Sequence, residues 1–519
     1  MPKLPPPGRN VGNCQPGNWV YHELPPSEHT TCLDGSPYGF YHMAAVPNPR
    51  REPPSMRNND SWMLNFEGGG WCWSPEDCAV RAGGRAGSSS QWEKAAPSIG
   101  GISSKCCFCT RFCRFHRVYL KSCDGHAFGG NATFEAPPLL SRSGQQLPHQ
   151  RHGGGALRDS AGRVLLRSNG RAILRAVIDE LVGRFGMREA RHVLVLGCSA
   201  GGMAALLNAE RIREQLLAAG ARLARFKVAT MAGIFFGRSP SAASPLPSPS
   251  PPLPTSAALS PFEEQLRAMV ELGNVELPAR CASASAAADG GGAPSWRCLL
   301  GLGLVEALPA DLPAFAYQSR LDLWQTNCVF AAGRSRYFGL NCSADPAWHR
   351  CLGWMQPLKP SSRCSAAQWA ALRAYEEANG AQLLRSAALR RPGSGSFTHS
   401  CYDHCATTAG LINTGATLLP GLVNDSINLR EALFSWFLGG ARWPARESDS
   451  PAVPPLPPAW NHTHTGCSNW PVSAMVPGTP REPGCRKPEC AAAEKLHKDD
   501  TAAQRSRIRS RGWKWQLDE

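Results

Sequence analysis

The sequence has no long apolar run. No stretch of about eighteen or more consecutive apolar residues occurs in the chain, and a helix needs roughly that many to cross the hydrocarbon core of a bilayer. We therefore predict no membrane span. The N-terminus is rich in proline and lacks the apolar core that secretory signal peptides carry, so no signal peptide is visible in this sequence.

Recognisable nucleic-acid-binding motifs are also lacking, although the chain is basic. Its 519 residues include 55 Lys and Arg against 40 Asp and Glu, a net charge of +15. The positive residues are scattered, and no zinc-finger, RNA-recognition or helix-turn-helix pattern accompanies them. This charge favours solubility or a loose attraction to acidic glycans. We predict no nucleic-acid partner; strong salt-dependent binding by residues 486–519 alone would revive that alternative.

Cysteine, by contrast, is abundant. The 21 cysteines exceed what intracellular proteins usually hold, which indicates an oxidising compartment and structural disulfides. The spacings Cys72–Cys78 and Cys401–Cys405 are typical of local disulfides. A zinc site within 106–113 is the alternative, although no complementary cysteine pair lies nearby. Because 21 is odd, at least one thiol stays unpaired or bonds another chain, and we expect it to be Cys198.

Glycosylation sequons point to the same compartment. The pattern Asn-x-Ser/Thr occurs at Asn59, Asn131, Asn341, Asn424 and Asn461, in agreement with passage through the secretory route. Together with the cysteines, these sequons predict a secreted protein, extracellular or in a cell wall.

The composition changes along the chain and divides it into three parts. Residues 1–30 are Pro-rich and predicted to be irregular, 31–445 form the main domain, and 446–519 are a Pro-rich, charged tail predicted to be disordered. Within the main domain, three stretches of biased composition are predicted to be loops, linkers or surface insertions: 79–118, 238–260 and 282–294.

Apolar periodicity in the main domain alternates between helix and strand. The predicted elements are a helix over 171–186, a strand over 192–196, a helix over 200–219, strands over 226–236 and 313–317, and helices over 366–390 and 428–437. A βαβ order implies a parallel sheet with helices on its faces. We therefore predict an α/β fold with a mostly parallel central sheet flanked by helices, rich in disulfides and interrupted by long insertions.

A nucleophile-elbow pattern follows the most apolar of these strands. The sequence Gly-Cys-Ser-Ala-Gly-Gly occupies 197–202, directly after the run Val-Leu-Val-Leu and before a helix-forming stretch. In a G-x-S-x-G elbow, small residues let strand and helix close on each other and push the serine hydroxyl outward. Ser199 is therefore the candidate nucleophile of an acyl-transfer site.

Donors for an oxyanion are found next to this serine and in an earlier glycine run. The backbone N–H of Ala200 is the first candidate donor. Gly69 and Gly70 follow a predicted strand and are the second, because glycine lets backbone N–H groups approach a substrate closely. Trp71 and Trp73 flank this run, and either stack on a sugar face or belong to the core.

A histidine base and an acid that orients it must follow the serine in the chain. His404 stands between cysteines in Ser-Cys-Tyr-Asp-His-Cys, and flanking disulfides would hold a loop histidine in place. Its neighbour Asp403 is a poor orienting group, because adjacent side chains usually diverge. Asp322 follows a predicted strand, where an acid at the edge of a parallel sheet belongs. We therefore predict the triad Ser199, Asp322 and His404.

Taken in order, these blocks resemble the pectin acetylesterase family, which also contains the Notum carboxylesterases. They are Glu-Gly-Gly-Gly-Trp-Cys at 67–72, the elbow at 197–202, Asp-Leu-Trp-Gln at 322–325 and Ser-Cys-Tyr-Asp-His-Cys at 400–405, with further support at 32–37 and 123–129. The blocks run from about residue 30 to about residue 440, so the resemblance covers most of the chain. It implies an α/β-hydrolase fold without metal or cofactor, and the triad and oxyanion donors named above.

The sequence departs from the family pattern at several places. Leu321 stands where the family usually has an aromatic residue before the acid, and Gly237 stands where it has an acidic residue. The Pro/Ser-rich segment 238–260 and the Cys-rich segment 79–118 are not typical of the family either. These differences concern substrate choice and local packing more than the triad.

The resemblance implies a serine carboxylesterase that removes O-acetyl groups from a pectin-like extracellular or cell-wall polysaccharide. One alternative is a deacylase of a longer acyl ester on a protein, as in Notum. Another is a catalytically silent secreted glycan-binding protein, which the retention of serine, acid and histidine opposes. We expect a monomer whose partner is an acylated polysaccharide or an acylated protein.

Overall fold

A computed structural model describes the greater part of the predicted main domain. The described residues are 18–45, 60–95, 99, 112, 114–137, 163–237, 259–281, 296–331, 348, 351–352, 364–399, 404–405, 429–439 and 460–464.

A large mixed sheet forms the centre of the fold. Within the described residues its nine strands run in the order β1-β2-β4-β3-β7-β8-β9-β10-β11. The strands from β4 to β11 pair in parallel, whereas β1 and β2 add an antiparallel edge. Strands β5 and β6 form a separate antiparallel hairpin. The strand bounds are β1 Val20–Glu23, β2 Gly39–Met43, β3 Ser61–Phe66, β4 His116–Leu120, β5 Ala132–Ala136, β6 Val164–Ser168, β7 His192–Cys198, β8 Arg225–Met231, β9 Ala314–Ser319, β10 Gly395–His399 and β11 Trp460–His464.

Helices pack against both faces of this sheet, and apolar side chains between the layers form the core. Buried residues of α2 recur at helical spacing, and those of β7 form the continuous run expected for a strand covered on both faces. The helix bounds are α1 Pro75–Ala82, α2 Gly170–Arg184, α3 Ala200–Ala218, α4 Pro261–Gly273, α5 Gly303–Glu306, α6 Ala366–Arg385 and α7 Leu429–Leu438. A short turn, Leu323–Gln325, continues as a π-helix over Thr326–Phe330.

Capping residues explain where two of the longer helices begin. Ser260 precedes α4 and forms a capping box with Glu263. Ser365 does the same for α6 with Gln368. In each case the serine hydroxyl accepts a hydrogen bond from an otherwise unpaired backbone N–H of the first turn, which favours helix initiation at that residue.

The predicted alternation of strand and helix is confirmed between α2 and β9, with ends that differ by a few residues. The strand predicted over 226–236 ends earlier, at Met231. The stretch 79–118, predicted to be a loop or insertion, contains the end of α1 and the start of β4. The ranges 282–294 and 238–258 lie outside the described residues.

Two segments predicted to be irregular contribute strands to the edges of the sheet. Strand β1 lies in 1–30 and pairs with β2. Strand β11 lies in 446–519 and pairs in parallel with β10. Prediction from composition fails for these strands because an edge strand draws its hydrogen bonds from a neighbour that is distant in sequence. A strand of four or five residues also carries little periodicity of its own.

Five disulfides join cysteines within the described part of the chain. They are Cys32–Cys123, Cys72–Cys78, Cys198–Cys405, Cys281–Cys298 and Cys351–Cys364. The predicted pair Cys72–Cys78 is confirmed. The predicted pair Cys401–Cys405 is wrong, and so is the expectation that Cys198 is unpaired. The fold brings the end of β7 to the loop at 404–405, with 5.7 Å between the two Cα atoms, within the range that a disulfide spans.

Among the described residues, no helix combines the length and the apolar character that crossing a bilayer requires.

A pair of buried histidines at the antiparallel edge makes stability sensitive to acid. His42 on β2 and His116 on β4 lie 3.0 Å apart between Nε2 and Nδ1, and His116 stacks on Trp62. Burial lowers the pKa of His42 to about 3, with a smaller contribution from neighbouring His116, and burial lowers the pKa of His116 to about 4. Both rings are therefore neutral in the folded protein at pH 5, where an unfolded histidine is charged.

We expect the free energy of unfolding to fall as the pH drops below about 6.5, because the unfolded chain then binds protons that the folded chain does not. Each ring contributes a loss of about 1–2 kcal/mol between pH 7 and pH 5. His116→Phe keeps an aromatic ring on Trp62 but cannot titrate, so its loss is expected to be smaller by about 1 kcal/mol. Urea denaturation at the two pH values measures this difference. His29→Gln, at an exposed position, is the control, and equal losses in all three proteins would contradict the assignment.

Candidate active site

The strand-to-helix turn at Ser199 has the geometry that its sequence pattern predicts. Strand β7 ends at Cys198 and α3 begins at Ala200, with Ser199 between them at φ 57° and ψ −130°. A non-glycine residue rarely adopts such a conformation, which costs about 1–3 kcal/mol and persists only where the surroundings enforce it. Gly197 and Gly201 permit the close approach of strand and helix around this residue, because a Cβ atom on either would overlap a backbone carbonyl.

His404 of the predicted triad lies within hydrogen-bond distance of both Ser199 and Asp322. The Ser199 hydroxyl lies 2.9 Å from Nε2 of His404, and Nδ1 of His404 lies 2.8 Å from Oδ2 of Asp322. A buried carboxylate can only accept, so Nδ1–H donates to Asp322 and the free lone pair of Nε2 accepts from the Ser199 hydroxyl. This is the tautomer that a histidine needs in order to act as a general base toward a serine hydroxyl.

Asp322 is fixed from behind by the turn that follows β9. Its carboxylate is buried, and its Oδ1 accepts a hydrogen bond from the backbone N–H of Gln325 at 2.9 Å. The Gln325 side chain in turn accepts from the Phe236 N–H and donates to the Ile234 carbonyl, which ties this turn to the segment after β8. Oδ2 is thereby directed at the histidine, as an orienting acid requires.

The glycine run after β3 lies directly against the elbow. A Cβ atom on Gly68 would come within 2.6 Å of the Cys198 carbonyl and 3.1 Å of the Ser199 Cβ. Gly69 and Gly70 follow with φ of 128° and 70°, values that residues with a Cβ atom rarely adopt. Their backbone can therefore take a course open to few other residues, and it does so beside the candidate nucleophile, where the sequence predicts oxyanion donors.

Four aromatic rings pack beside the histidine. Trp71, Phe235, Phe262 and Trp324 contact one another at centroid distances of 5.1–6.5 Å, and we call them the aromatic cluster. Trp324 also stacks on His404 at 6.3 Å. Of the two alternatives for Trp71, its exposure of 4% supports a place in the core. Trp73 is half-buried and packs against the same core.

A disulfide joins the two halves of the candidate site. Cys198 directly precedes Ser199, and Cys405 directly follows His404. The bond therefore ties the strand that carries the nucleophile to the segment that carries the base. This bond does not depend on the hydrogen bonds between Ser199, His404 and Asp322, and it restrains the two backbone segments that carry Ser199 and His404.

One cluster contains residue types that bind metal ions but lacks free thiolates. Cys72, Cys78 and His126 lie close enough together to share an ion, the one such group within the described residues. The two sulfurs are bonded to each other, so neither is available as the thiolate that a metal requires. The zinc alternative within 106–113 falls outside the described residues except for Phe112.

Comparison with known proteins identifies the family. The family model described as Pectinacetylesterase matches residues 23–441. The chain belongs to the pectinacetylesterase family. The resemblance seen in the sequence is thereby confirmed, and the chain is a member of a family of carboxylic ester hydrolases.

Relatives of this family member include plant and animal enzymes. Pectin acetylesterase 5 from Arabidopsis thaliana is 25% identical over 438 residues, which cover 84% of this chain and 82% of that protein. The palmitoleoyl-protein carboxylesterase NOTUM from Homo sapiens is 28% identical over 188 residues, 36% of this chain and 30% of that protein. The crystal structure of the Wnt deacylase Notum from Drosophila superposes with a TM-score of 0.52 at 22% identity, covering 81% of this chain and 93% of that one. This likeness confirms the predicted α/β-hydrolase-like fold.

Three features beside the candidate triad of this family member were not predicted. Trp324 lies two residues after Asp322 but has no periodic context. The Cys198–Cys405 bond had a signal, since each cysteine is adjacent to a predicted triad residue. Arg81, whose side chain donates to the Gly69 carbonyl, lies in a stretch predicted to be a loop. A signal existed there too, because Ser74-Pro75-Glu-Asp is a helix-start pattern, and Ser74 caps α1.

Proposed function

We propose that this chain is a secreted serine esterase that releases acetate from an O-acetylated extracellular or cell-wall polysaccharide of the pectin type. The observation that carries the proposal is the hydrogen-bonded series Ser199, His404 and Asp322 at the carboxyl edge of the parallel sheet. Membership of the pectinacetylesterase family supports the ester chemistry. The disulfides support a secreted location.

The proposed reaction follows from the hydrogen bonds at the site. His404 takes the Ser199 proton as the hydroxyl oxygen attacks the ester carbonyl, and the negative oxygen that forms is stabilised by N–H groups of Gly69, Gly70 and Ala200. His404 then gives the proton to the leaving sugar oxygen. Water, deprotonated by the same histidine, attacks the acetyl-serine and releases acetate. Asp322 holds the imidazole and stabilises its charged form.

The aromatic cluster supports a short acyl group. Trp71 adjoins the glycine run and Trp324 stacks on His404, so the cluster borders the place where the ester carbonyl would lie. Trp71, Phe235 and Phe262 are each at most 4% exposed, which means that the rings fill this side of the site with one another. A long acyl chain would have to displace packed aromatic rings, whereas an acetyl methyl group would not.

The charge of the chain supports an acidic polymer. With a net charge of +15, the protein attracts polyanions at low ionic strength, and this attraction weakens as salt is added. A pectin-type polymer carries carboxylates, so acetate release from it is expected to be faster at low salt than at high salt, with no such difference for a neutral acetylated polymer.

The acyl preference is tested with p-nitrophenyl esters from C2 to C16 and with acetylated pectin. We expect kcat/KM for the acetate to exceed that for the octanoate by about 100-fold, because a tightly packed site excludes the longer chain. Acetate release from the polymer is expected as well. A fluorophosphonate should abolish both activities and label Ser199, as read by peptide mass mapping. A preference for C8 or longer esters would favour the protein deacylase instead, and unlabelled, inactive but folded protein would favour the glycan-binding alternative.

A substitution in the aromatic cluster distinguishes a specific effect on acyl-chain preference from a general loss of core packing. Trp71→Ala is expected to move the preferred acyl chain from C2 toward C4–C8, because it removes a ring beside the site. Trp92→Ala is the matched control, since Trp92 is also a buried core tryptophan and lies outside the aromatic cluster. A shift of the acyl preference in both variants, or in neither, would contradict the role given to the cluster.

A further inference from the structure

Arg81 is placed beneath the candidate oxyanion loop, which we define as Gly68–Gly70. Its Nη2 donates to the carbonyl oxygens of Gly69 at 2.8 Å and Trp71 at 3.1 Å. The guanidinium is shielded from solvent at Nη1. A single shielded group therefore holds two carbonyls on either side of Gly70. Charge-assisted hydrogen bonds of this kind are stronger than neutral ones, the more so away from water.

Because a peptide unit is planar, fixing its carbonyl oxygen also fixes the direction of its N–H group. The Gly69 carbonyl and the Gly70 N–H belong to one planar trans peptide, so they point in opposite directions. Holding the Gly69 oxygen toward Arg81 therefore turns the Gly70 N–H away from it. The next held peptide behaves in the same way, since the Trp71 oxygen accepts from Arg81 and the Cys72 N–H donates to the Gly125 carbonyl at 2.9 Å.

The candidate oxyanion loop needs such restraint because of its glycine content. Gly69 and Gly70 both have positive φ, and glycine populates several backbone regions at little cost. An unrestrained Gly69–Gly70 peptide could rotate and withdraw its N–H from the site. A donor contributes to catalysis only if it is aimed beforehand at the place where negative charge develops.

The platform that carries Arg81 is rigid. Helix α1 begins at Pro75 with Ser74 as its capping residue, and the Cys72–Cys78 disulfide ties the first turns of the helix to the end of the loop. Arg81 thus reaches back to the segment from which its own helix starts.

Two buried carboxyl groups supply the opposite charge. Asp77 lies one turn before Arg81 on α1, and Asp124 lies in the segment after β4; both are buried. Burial raises the pKa of each to about 6, and the positive charge of Arg81 acts in the opposite direction on both. Negative charge near the guanidinium therefore accompanies the two hydrogen bonds by which Arg81 contacts the loop segment.

We propose that Arg81 is a positioning residue for the oxyanion loop, which holds the Gly69 and Trp71 carbonyls so that the Gly70 N–H faces the developing oxyanion. It does not touch the substrate. This role rests on the proposed esterase function and adds a residue that acts through the loop.

The test compares Arg81→Met and Arg81→Lys in the full chain with p-nitrophenyl acetate. We expect Arg81→Met to lower kcat about 100-fold, as a displacement of about 1 Å at a reacting group does, with KM nearly unchanged. Arg81→Lys, which keeps one charged donor, is expected to lose about 10-fold. Affinity for methylboronic acid, which forms a tetrahedral anion on a serine oxygen, should fall in parallel with kcat.

The control is Lys227→Met. Lys227 lies on strand β8, is buried like much of the Arg81 side chain, and donates to the backbone carbonyl of Trp436. The substitution should alter stability without changing the ratio of boronate affinity to KM. If Arg81→Met does not fold, the Lys variant decides. Wild-type kcat and boronate affinity in a folded Arg81 variant would overturn the proposal. Fluorophosphonate labelling of Ser199 in the wild type is independent of this result, so a failure of the esterase function itself would be seen separately.

Discussion

Replacing Asp322 with asparagine is expected to lower kcat by about 10⁴-fold while leaving the fold intact. Asn has the same shape, but its amide has one acceptor and one donor group. With its NH₂ toward His404 it favours the tautomer that carries the proton on Nε2, which can no longer accept from Ser199. Its neutral side chain also fails to stabilise the imidazolium that forms during attack. Asn keeps an oxygen for the Gln325 N–H, so the turn after β9 should remain.

The measurement is kcat against pH for p-nitrophenyl acetate, with folding checked by circular dichroism and by Tm. Ser199→Ala defines the floor of the assay. The matched control is Asp311→Asn, because Asp311 pairs with Arg213 on the surface, where ion pairs contribute little. Activity of Asp322→Asn within about 10-fold of the wild type would mean that another group orients the histidine, and the triad assignment would then be wrong.

Local signals in the sequence predict the centre of the fold well. The βαβ segment from α2 to β8 is recognisable because each element has its own apolar period and because glycine marks the elbow. Such information lies within a few residues of the position it describes. The same holds for the candidate nucleophile, since the strand, the tight turn and the helix follow one another directly in the chain.

Features that depend on distant residues are predicted less well. Strands β1 and β11 owe their extended form to neighbours in the sheet, and composition gave the opposite expectation for both segments. The partner of Cys405 is Cys198, 207 residues away, whereas spacing favoured the nearby Cys401. Loop-closure entropy makes a short spacing the better guess in an unfolded chain, but the folded sheet brings the distant pair together.

In the candidate site, too, features signalled locally were predicted and features that depend on distant contacts were not. Chain order and residue type predict Ser199, Asp322 and His404, because the fold family orders its triad that way. Arg81 escapes prediction because its action is on backbone carbonyls, which leave no trace in residue type. Its helix could have been recognised from the cap at Ser74, but its reach back to Gly69 could not.

The Cys198–Cys405 disulfide makes the fold and the site depend on one another. Hydrogen bonds between Ser199, His404 and Asp322 hold the side chains, but in the proposed reaction the bond between Ser199 and His404 is broken and remade in every turnover. The disulfide restrains the backbones that carry the serine and the histidine throughout the cycle. Preorganisation of this kind lowers the entropy that must be lost to reach a reactive geometry.

Removing this disulfide with the double substitution Cys198→Ala/Cys405→Ala is expected to reduce both activity and stability. The free energy of unfolding should fall by about 3–5 kcal/mol, because the bond closes a long loop. Per folded molecule, kcat should fall about 10²- to 10³-fold, because His404 loses its tether to the nucleophile strand.

The matched control is Cys281→Ala/Cys298→Ala, which opens a loop of sequence separation 17 that contains none of the triad residues. Urea denaturation gives the stability of each, and kcat is measured at a temperature where both are fully folded. The control should lose about 2–3 kcal/mol and keep its kcat. Equal kcat in the two double variants would show that the hydrogen bonds alone hold His404 in place.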